Sequence, residues 1–307
     1  MKKIIEHLPS YKNFPIDVLR LDLLHPFYGG NKYFKLKYNI QAAQWKTLLT
    51  FGGAHSNHIY STAAFCHEQK LKCVGVIRGE EKILENSPTL QFAKQQGMHL
   101  HFVSRELYKN KTELELLNDL KKEFGDFYLI PEGGNNDAGI KGCMEILDEV
   151  PLYDYVFCAC GTSCTYTGIL ASSNLSADKA GKDQKIIGIS VLKGENQLIN
   201  EVNANASKFK FEKISAYSTG KIEHSTILNE YHFGGYAKHS QALLNFKRAF
   251  EKQHHIPLDY VYTSKLFYAV YDLINKGRLL ENKKILIVHS GGQQGNAGYE
   301  RRYGIIT

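Results

Sequence analysis

A chain of 307 residues with 43% apolar and 22% charged side chains has the length and balance of a folded α/β protein with a sizeable core. No apolar run reaches the ~20 residues of a membrane helix, and the Met1-Lys2-Lys3-Ile4-Ile5-Glu6-His7 start meets an acid before a signal-peptide core develops, so a cytoplasmic protein without a membrane partner is expected. The net charge of +7 is scattered over 38 basic and 31 acidic residues, which suits an anionic small molecule better than a nucleic-acid surface.

In chain order, the first informative stretch is Gly29-Gly30-Asn31-Lys32-Tyr33-Phe34-Lys35-Leu36-Lys37-Tyr38, which reads as the entrance to a helix. A lysine placed there can form a Schiff base, and the small residues before it let a flat cofactor approach the backbone. Thr47 to Phe51 reads as a short strand ending in Gly52-Gly53. The polar cluster His55-Ser56-Asn57-His58 follows and turns into a helical pattern through Ala63, Ala64 and His67.

Leu71 to Ile77 is the next strand. Ser87-Pro88 then starts a helix with a serine cap and proline at its first position. Met98 to Val103 and Tyr128 to Ile130 read as strands, the latter leading into the glycine-rich loop 131–136. Asp154 to Ala159 is a strand, Gly161-Thr162-Ser163-Cys164-Thr165 is a loop able to hold a phosphate, and Thr165 opens a helix. Lys185 to Val191 and Lys284 to Val288 read as strands, with helices near Ser240 to Lys252 and Lys265 to Asn275. The run Lys208-Phe209-Lys210-Phe211-Glu212-Lys213 reads as an amphipathic strand with a solvated basic face. This alternation of strand and helix predicts mostly parallel sheets flanked by helices, with glycines after strand ends where open α/β sheets bind ligands.

The six cysteines (Cys66, Cys73, Cys143, Cys158, Cys160 and Cys164) form no C-x-x-C pair and are expected as reduced, buried thiols. The spacing of the last three matches no common zinc pattern, so no metal is expected.

GGNKYFKLKY, FGGAHSNH, CGTSCTYTG, DYVYTSK and VHSGG occur in the order and spacing of the D-cysteine desulfhydrase and 1-aminocyclopropane-1-carboxylate (ACC) deaminase family, which the chain resembles over nearly its whole length. That family has the two-lobe, fold-type-II architecture of tryptophan synthase β. The resemblance implies pyridoxal 5'-phosphate (PLP) as cofactor, a small amino acid as substrate and a homodimer. It implies a larger PLP-binding lobe of residues 1–42 plus 143–307 and a smaller inserted lobe of residues 43–142, with the site between them.

By the same resemblance, Lys32 would carry PLP, and Lys35, Gly161, Thr162, Ser163, Cys164 and Thr165 would meet its phosphate. Asn57 would bond the ring hydroxyl. Ser56 would contact the substrate carboxylate or a reacting proton, although a serine there is also an N-cap. Tyr236 and Tyr262 would line the substrate pocket. Thr263 and Ser290 occupy the positions where ACC deaminases carry glutamate and leucine. A threonine beside the pyridine nitrogen gives a weaker electron sink than a carboxylate, which points to β-elimination of thiol from D-cysteine. The alternatives are ACC deamination to 2-oxobutyrate, a sulfo-lyase needing extra cation in its pocket, and a non-catalytic PLP or amino-acid-binding protein. Phe34 and Lys37 replace the family's usual arginine and glutamate, so the pocket wall departs from the family there.

Overall fold

The computed structural model describes residues 2–305 except 45, 181–183, 195 and 218–219. The chain opens with an antiparallel hairpin, β1 (Ile5–Tyr11) and β2 (Phe14–Arg20). Its two-residue turn, Lys12-Asn13, has φ of 46° and 66°, the paired left-handed conformation whose twist matches the strands it joins. A four-stranded parallel sheet follows, from β3 (Thr47–Gly53), β4 (Cys73–Arg78), β5 (His99–Val103) and β6 (Phe127–Ile130), in the order β5-β4-β3-β6. The chain then returns through β7 (Tyr155–Cys160), β8 (Lys185–Ser190), β9 (Thr226–Leu228) and β10 (Ile285–His289). These complete a six-stranded sheet, β1-β2-β10-β7-β8-β9, parallel apart from the opening hairpin. The smaller sheet is thus inserted in sequence between β2 and β7.

The helices of the first half are α1 (Asn31–Ala43), α2 (Asn57–Glu68), α3 (Pro88–Gln95), α4 (Arg105–Lys109), α5 (Leu114–Phe124) and α6 (Asp137–Cys143). Those of the second half are α7 (Cys164–Ala180), α8 (Gln197–Ala204), α9 (Ala206–Phe209), α10 (Gln241–His254), α11 (Thr263–Asn275) and α12 (Asn296–Tyr303). None is long and apolar enough to cross a membrane, among the described residues.

The central strands read as unbroken apolar runs because both of their faces are covered. Along β7, Val156, Cys158 and Cys160 enter one core with Ile169 and Leu170 of α7. Tyr155, Phe157 and Ala159 enter the opposite core with Leu266 and Phe267 of α11. The small sheet repeats the device: Leu48 faces α2, while Leu49 and Phe51 face α5. The six cysteines are free and buried.

One expected element is not formed. The 208–213 segment is not a strand: it begins in the short helix α9 and continues without regular structure. Lys210 turns left-handed (φ 55°) as that helix ends, and Phe211 is buried, so the chain is held by an apolar anchor rather than by a ladder.

Candidate active site

The C-terminal ends of β3, β7 and β10 open onto one cavity of about 1310 Å³, where parallel α/β sheets present loops and helix N-termini to ligands. Lys32, Ser56, Asn57, Thr162, Tyr262 and Ser290 all line it. The structure therefore gathers residues that lie up to 258 positions apart in the chain.

Lys32 stands in the first turn of α1. Gly30 before it has φ 78°, and a Cβ there would lie 2.1 Å from the Ser290 carbonyl oxygen, so only glycine lets the two loops touch. The Asn31 N–H donates to that same carbonyl at 3.3 Å. The Lys32 Nζ donates to Asn31 Oδ1 (3.0 Å), whose Nδ2 donates to Thr165 Oγ1 (2.9 Å), tying α1 to the head of α7. Burial, with the charge of Lys35 adding to it, lowers the Lys32 amine from its ordinary value to about 7. A useful fraction is then neutral and nucleophilic at physiological pH.

Lys35, one turn on, donates to the Gly133 carbonyl (3.0 Å) and to Thr162 Oγ1 (3.1 Å), joining the loop after β6 to the loop after β7. Gly161 and Thr165 also line the cavity. A Cβ on Gly161 would lie 2.7 Å from the Tyr262 ring, so glycine is what lets the phenol lie against this loop. The side chains of Ser163 and Cys164 turn away from the cavity. Ser163 Oγ reaches Asn135 Oδ1 (3.3 Å) and Cys164 Sγ reaches the Gly134 carbonyl (3.3 Å), so these two residues have only backbone N–H groups to offer an anion at the start of α7.

Ser56 is the N-cap of α2, its Oγ accepting from Ile59 N at 3.3 Å; its own hydroxyl proton is still available to the cavity it lines. His58 is buried, and burial with the two nearby lysines holds its imidazole neutral. Thr50 gives its proton to the Ile130 carbonyl (2.8 Å), so it accepts from His58 Nε2–H (2.9 Å). His58 Nδ1 is left a bare, unpartnered acceptor beside the cavity.

Tyr262 and Tyr236 meet edge to face with ring centroids 6.2 Å apart. Burial and the neighbouring phenol raise Tyr262 well above the usual tyrosine value, so it stays an O–H donor. Thr263 departs from its expected role. It is fully buried and does not line the cavity: its hydroxyl donates to Asp259 Oδ1 (2.8 Å) and accepts from Asp259 N–H (2.7 Å). Asp259 also accepts from the backbone N–H groups of Val261, Tyr262 and Thr263, capping α11 and fixing the turn that aims Tyr262. Reading DYVYTSK for its aromatic residues passes over this aspartate, although an acid a few residues before a helix is the standing signal for such a cap.

The donor set suits PLP: a half-buried amine near neutrality at the cavity, backbone N–H groups at a helix head, and a glycine-walled cleft that a Cβ would fill. The cavity is also lined by Arg78, Lys82, Arg105, Lys109 and Arg302, none of which the sequence motifs mark, together with the acids Glu85 and Glu132.

The family model described as pyridoxal-phosphate dependent enzyme matches residues 13–291. A putative ACC deaminase from Pyrococcus horikoshii is 29% identical, the alignment covering 96% of this chain and 90% of that protein. A bifunctional D-cysteine desulfhydrase/ACC deaminase, mitochondrial, from Arabidopsis thaliana is 28% identical over 87% of this chain and 69% of its own length. Among solved structures, an ACC deaminase homologue superposes with a TM-score of 0.81 at 26% identity, covering 100% of this chain and 94% of that one.

Proposed function

The chain belongs to the pyridoxal-phosphate dependent enzyme family, and from that premise we propose that it catalyses β-elimination on a small D-amino acid. The substrate we assign is D-cysteine, which with one water gives pyruvate, hydrogen sulfide and ammonia. The observation that carries this reading is the pairing, in one cavity, of an amine lowered to about 7 with a phenol held protonated.

Lys32 and Asn57 would hold PLP, with the backbone of 161–165 and the Lys35–Thr162 pair at its phosphate end. Bound PLP supplies an electron sink for the substrate α-carbon. Lys32 can take a proton near neutrality, while Tyr262, raised well above the usual phenol value, keeps its proton and acts as a hydrogen-bond donor, as the Ser56 hydroxyl can. Position 263 offers no ionised acid to strengthen the sink, and its hydroxyl is already committed to Asp259. A good leaving group such as thiolate makes the smaller demand on that sink; opening a cyclopropane makes the larger.

Two other substrates have specific support. Relatives named ACC deaminase favour deamination of ACC to 2-oxobutyrate. The cationic wall, with Arg78 and Arg105, favours an amino acid carrying a sulfonate. Turnover of D-cysteine, ACC and cysteate by the PLP-loaded enzyme separates the three. Sulfide with pyruvate supports the proposal; 2-oxobutyrate from ACC, or sulfite from cysteate, with D-cysteine untouched, overturns it.

A further inference from the structure

Lys265 is fully buried in the first turn of α11, three residues after Tyr262. Its position is unfavourable on two counts. A cation there is desolvated, and it sits at the positive end of the helix dipole. Burial lowers its amine to about 8, with Asp259 opposing. Its two hydrogen-bond acceptors are backbone carbonyls, those of His232 and Gly235, each at 2.8 Å. An apolar side chain of equal length would fill the same space without either cost.

Both carbonyls belong to the loop that carries Tyr236. That loop runs through left-handed conformations at Phe233 (φ 52°), Gly234 (94°), Gly235 (118°) and Ala237 (54°), two of them in residues with side chains. Each carbonyl also takes one backbone donor, His232 O from Gly235 N (3.0 Å) and Gly235 O from Lys238 N (3.2 Å). Downstream, the Ala237 carbonyl is held by the hydroxyls of Tyr299 (3.2 Å) and Tyr303 (2.9 Å) from α12. Between these two anchor points lies Tyr236, its ring edge-to-face with Tyr262.

We infer that Lys265 is a positioning residue for catalysis: its ammonium clamps the His232 and Gly235 carbonyls and so fixes Tyr236 against Tyr262 at the cavity. The same helix turn then delivers both phenols, Tyr262 directly and Tyr236 through the clamp. This inference rests on the reading of the cavity as the active site.

The charged and titratable groups facing the clamp are Asp259 before α11, His232, Lys238 and His239 of the loop, and Lys193 beside Gly235. Burial and nearby lysines hold both histidines below their ordinary value. They are therefore neutral above pH 7, and a change in the loop between pH 7 and 9 reports on Lys265.

The test uses hydrogen exchange of the 232–238 amides in PLP-loaded enzyme without substrate, so its outcome does not depend on which amino acid is turned over. In Lys265→Met, exchange at pH 7 should be about tenfold faster than in wild type. The gap should narrow as pH rises through about 8 and the wild-type amine loses its charge. Lys265→Gln keeps neutral N–H donors and should give the partial protection that the wild type keeps above pH 8, with no pH dependence of its own; it also decides the question if the methionine variant fails to fold. On any amino acid the wild type turns over, Lys265→Met should lower kcat as far as Tyr236→Phe does, with the double variant no worse than either. Unchanged exchange, or faster exchange with kcat intact, or losses that multiply in the double variant, would each overturn the inference.

Discussion

Two desolvated lysines occupy nearly the same place on two helices, the half-buried Lys32 in the first turn of α1 and the fully buried Lys265 in the first turn of α11. Desolvation lowers both amines, to about 7 and about 8. What separates them is their partners. Lys32 has one weak acceptor, the Asn31 amide oxygen, and a cavity in front of it. Lys265 is held by two carbonyls at 2.8 Å and has no exposed surface. Burial near a helix N-terminus makes an amine less basic; whether it becomes a nucleophile or a clamp depends on what the surrounding loops leave open.

The largest expected effect breaks the first half of this comparison. Lys32→Ala should lower pyruvate release by more than about a thousandfold, because Lys35, the next amine along α1, is held by the Gly133 carbonyl and the Thr162 hydroxyl and is not free to take its place. Lys32→Arg should be no better, since a guanidinium keeps its charge and cannot serve as a nucleophile. Steady-state assays with PLP in excess would separate this loss from weaker cofactor binding. Next, Tyr262→Phe should cost about 10²–10³-fold in kcat, the usual scale for one positioned proton donor, with a smaller change in KM.

A third prediction concerns stability. Both lysines have folded pKa values below the unfolded value of 10.5, so the unfolded chain binds more protons between those values and 10.5. Their contribution to stability is therefore most unfavourable below about pH 7 and improves as pH rises towards 10.5. Thermal unfolding of cofactor-free Lys32→Met should show a Tm several degrees above wild type at pH 6, with the difference gone near pH 10.5. The smallest effect is at the cap of α11. Thr263→Ala should cost about 1–2 kcal/mol by leaving one Asp259 oxygen short of a donor, and Thr263→Ser should recover most of it. Denaturant midpoints would show both.

The sequence disclosed most where chemistry and chain locality coincide. Ser56, Asn57 and the 161–165 loop follow strand ends and open helices, and Lys32 opens a helix behind two glycines, so residue type and position point the same way. The serine cap at Ser87 was visible for the same reason, accepting an N–H three residues on. The opening hairpin was not visible, because Lys12-Asn13 lacks the glycine that usually marks a tight turn. The 208–213 run has the alternation of a strand, yet it begins inside α9, and Phe211 is buried from an irregular segment instead.

Contacts between distant segments were hidden as well. Thr263 aligned with a cofactor-facing position, yet a hydroxyl four residues from an aspartate closes a local ring before it reaches a ligand. Lys265 sat inside a recognised motif as one lysine among many; only the fold shows it meeting residues 30 positions upstream. The cationic wall containing Arg78 and Arg105 is likewise assembled from separate elements, the end of β4 and the start of α4.

The central claim, that Lys32 is the amine that takes up PLP, is tested most directly by titrating PLP into cofactor-free protein at pH 8 and following visible absorption. Wild type is predicted to give a stoichiometric band of lysine-bound cofactor that sodium borohydride fixes onto Lys32 and that Lys32→Ala never shows. An identical band in Lys32→Ala, or no band in wild type at saturating PLP, would contradict the account.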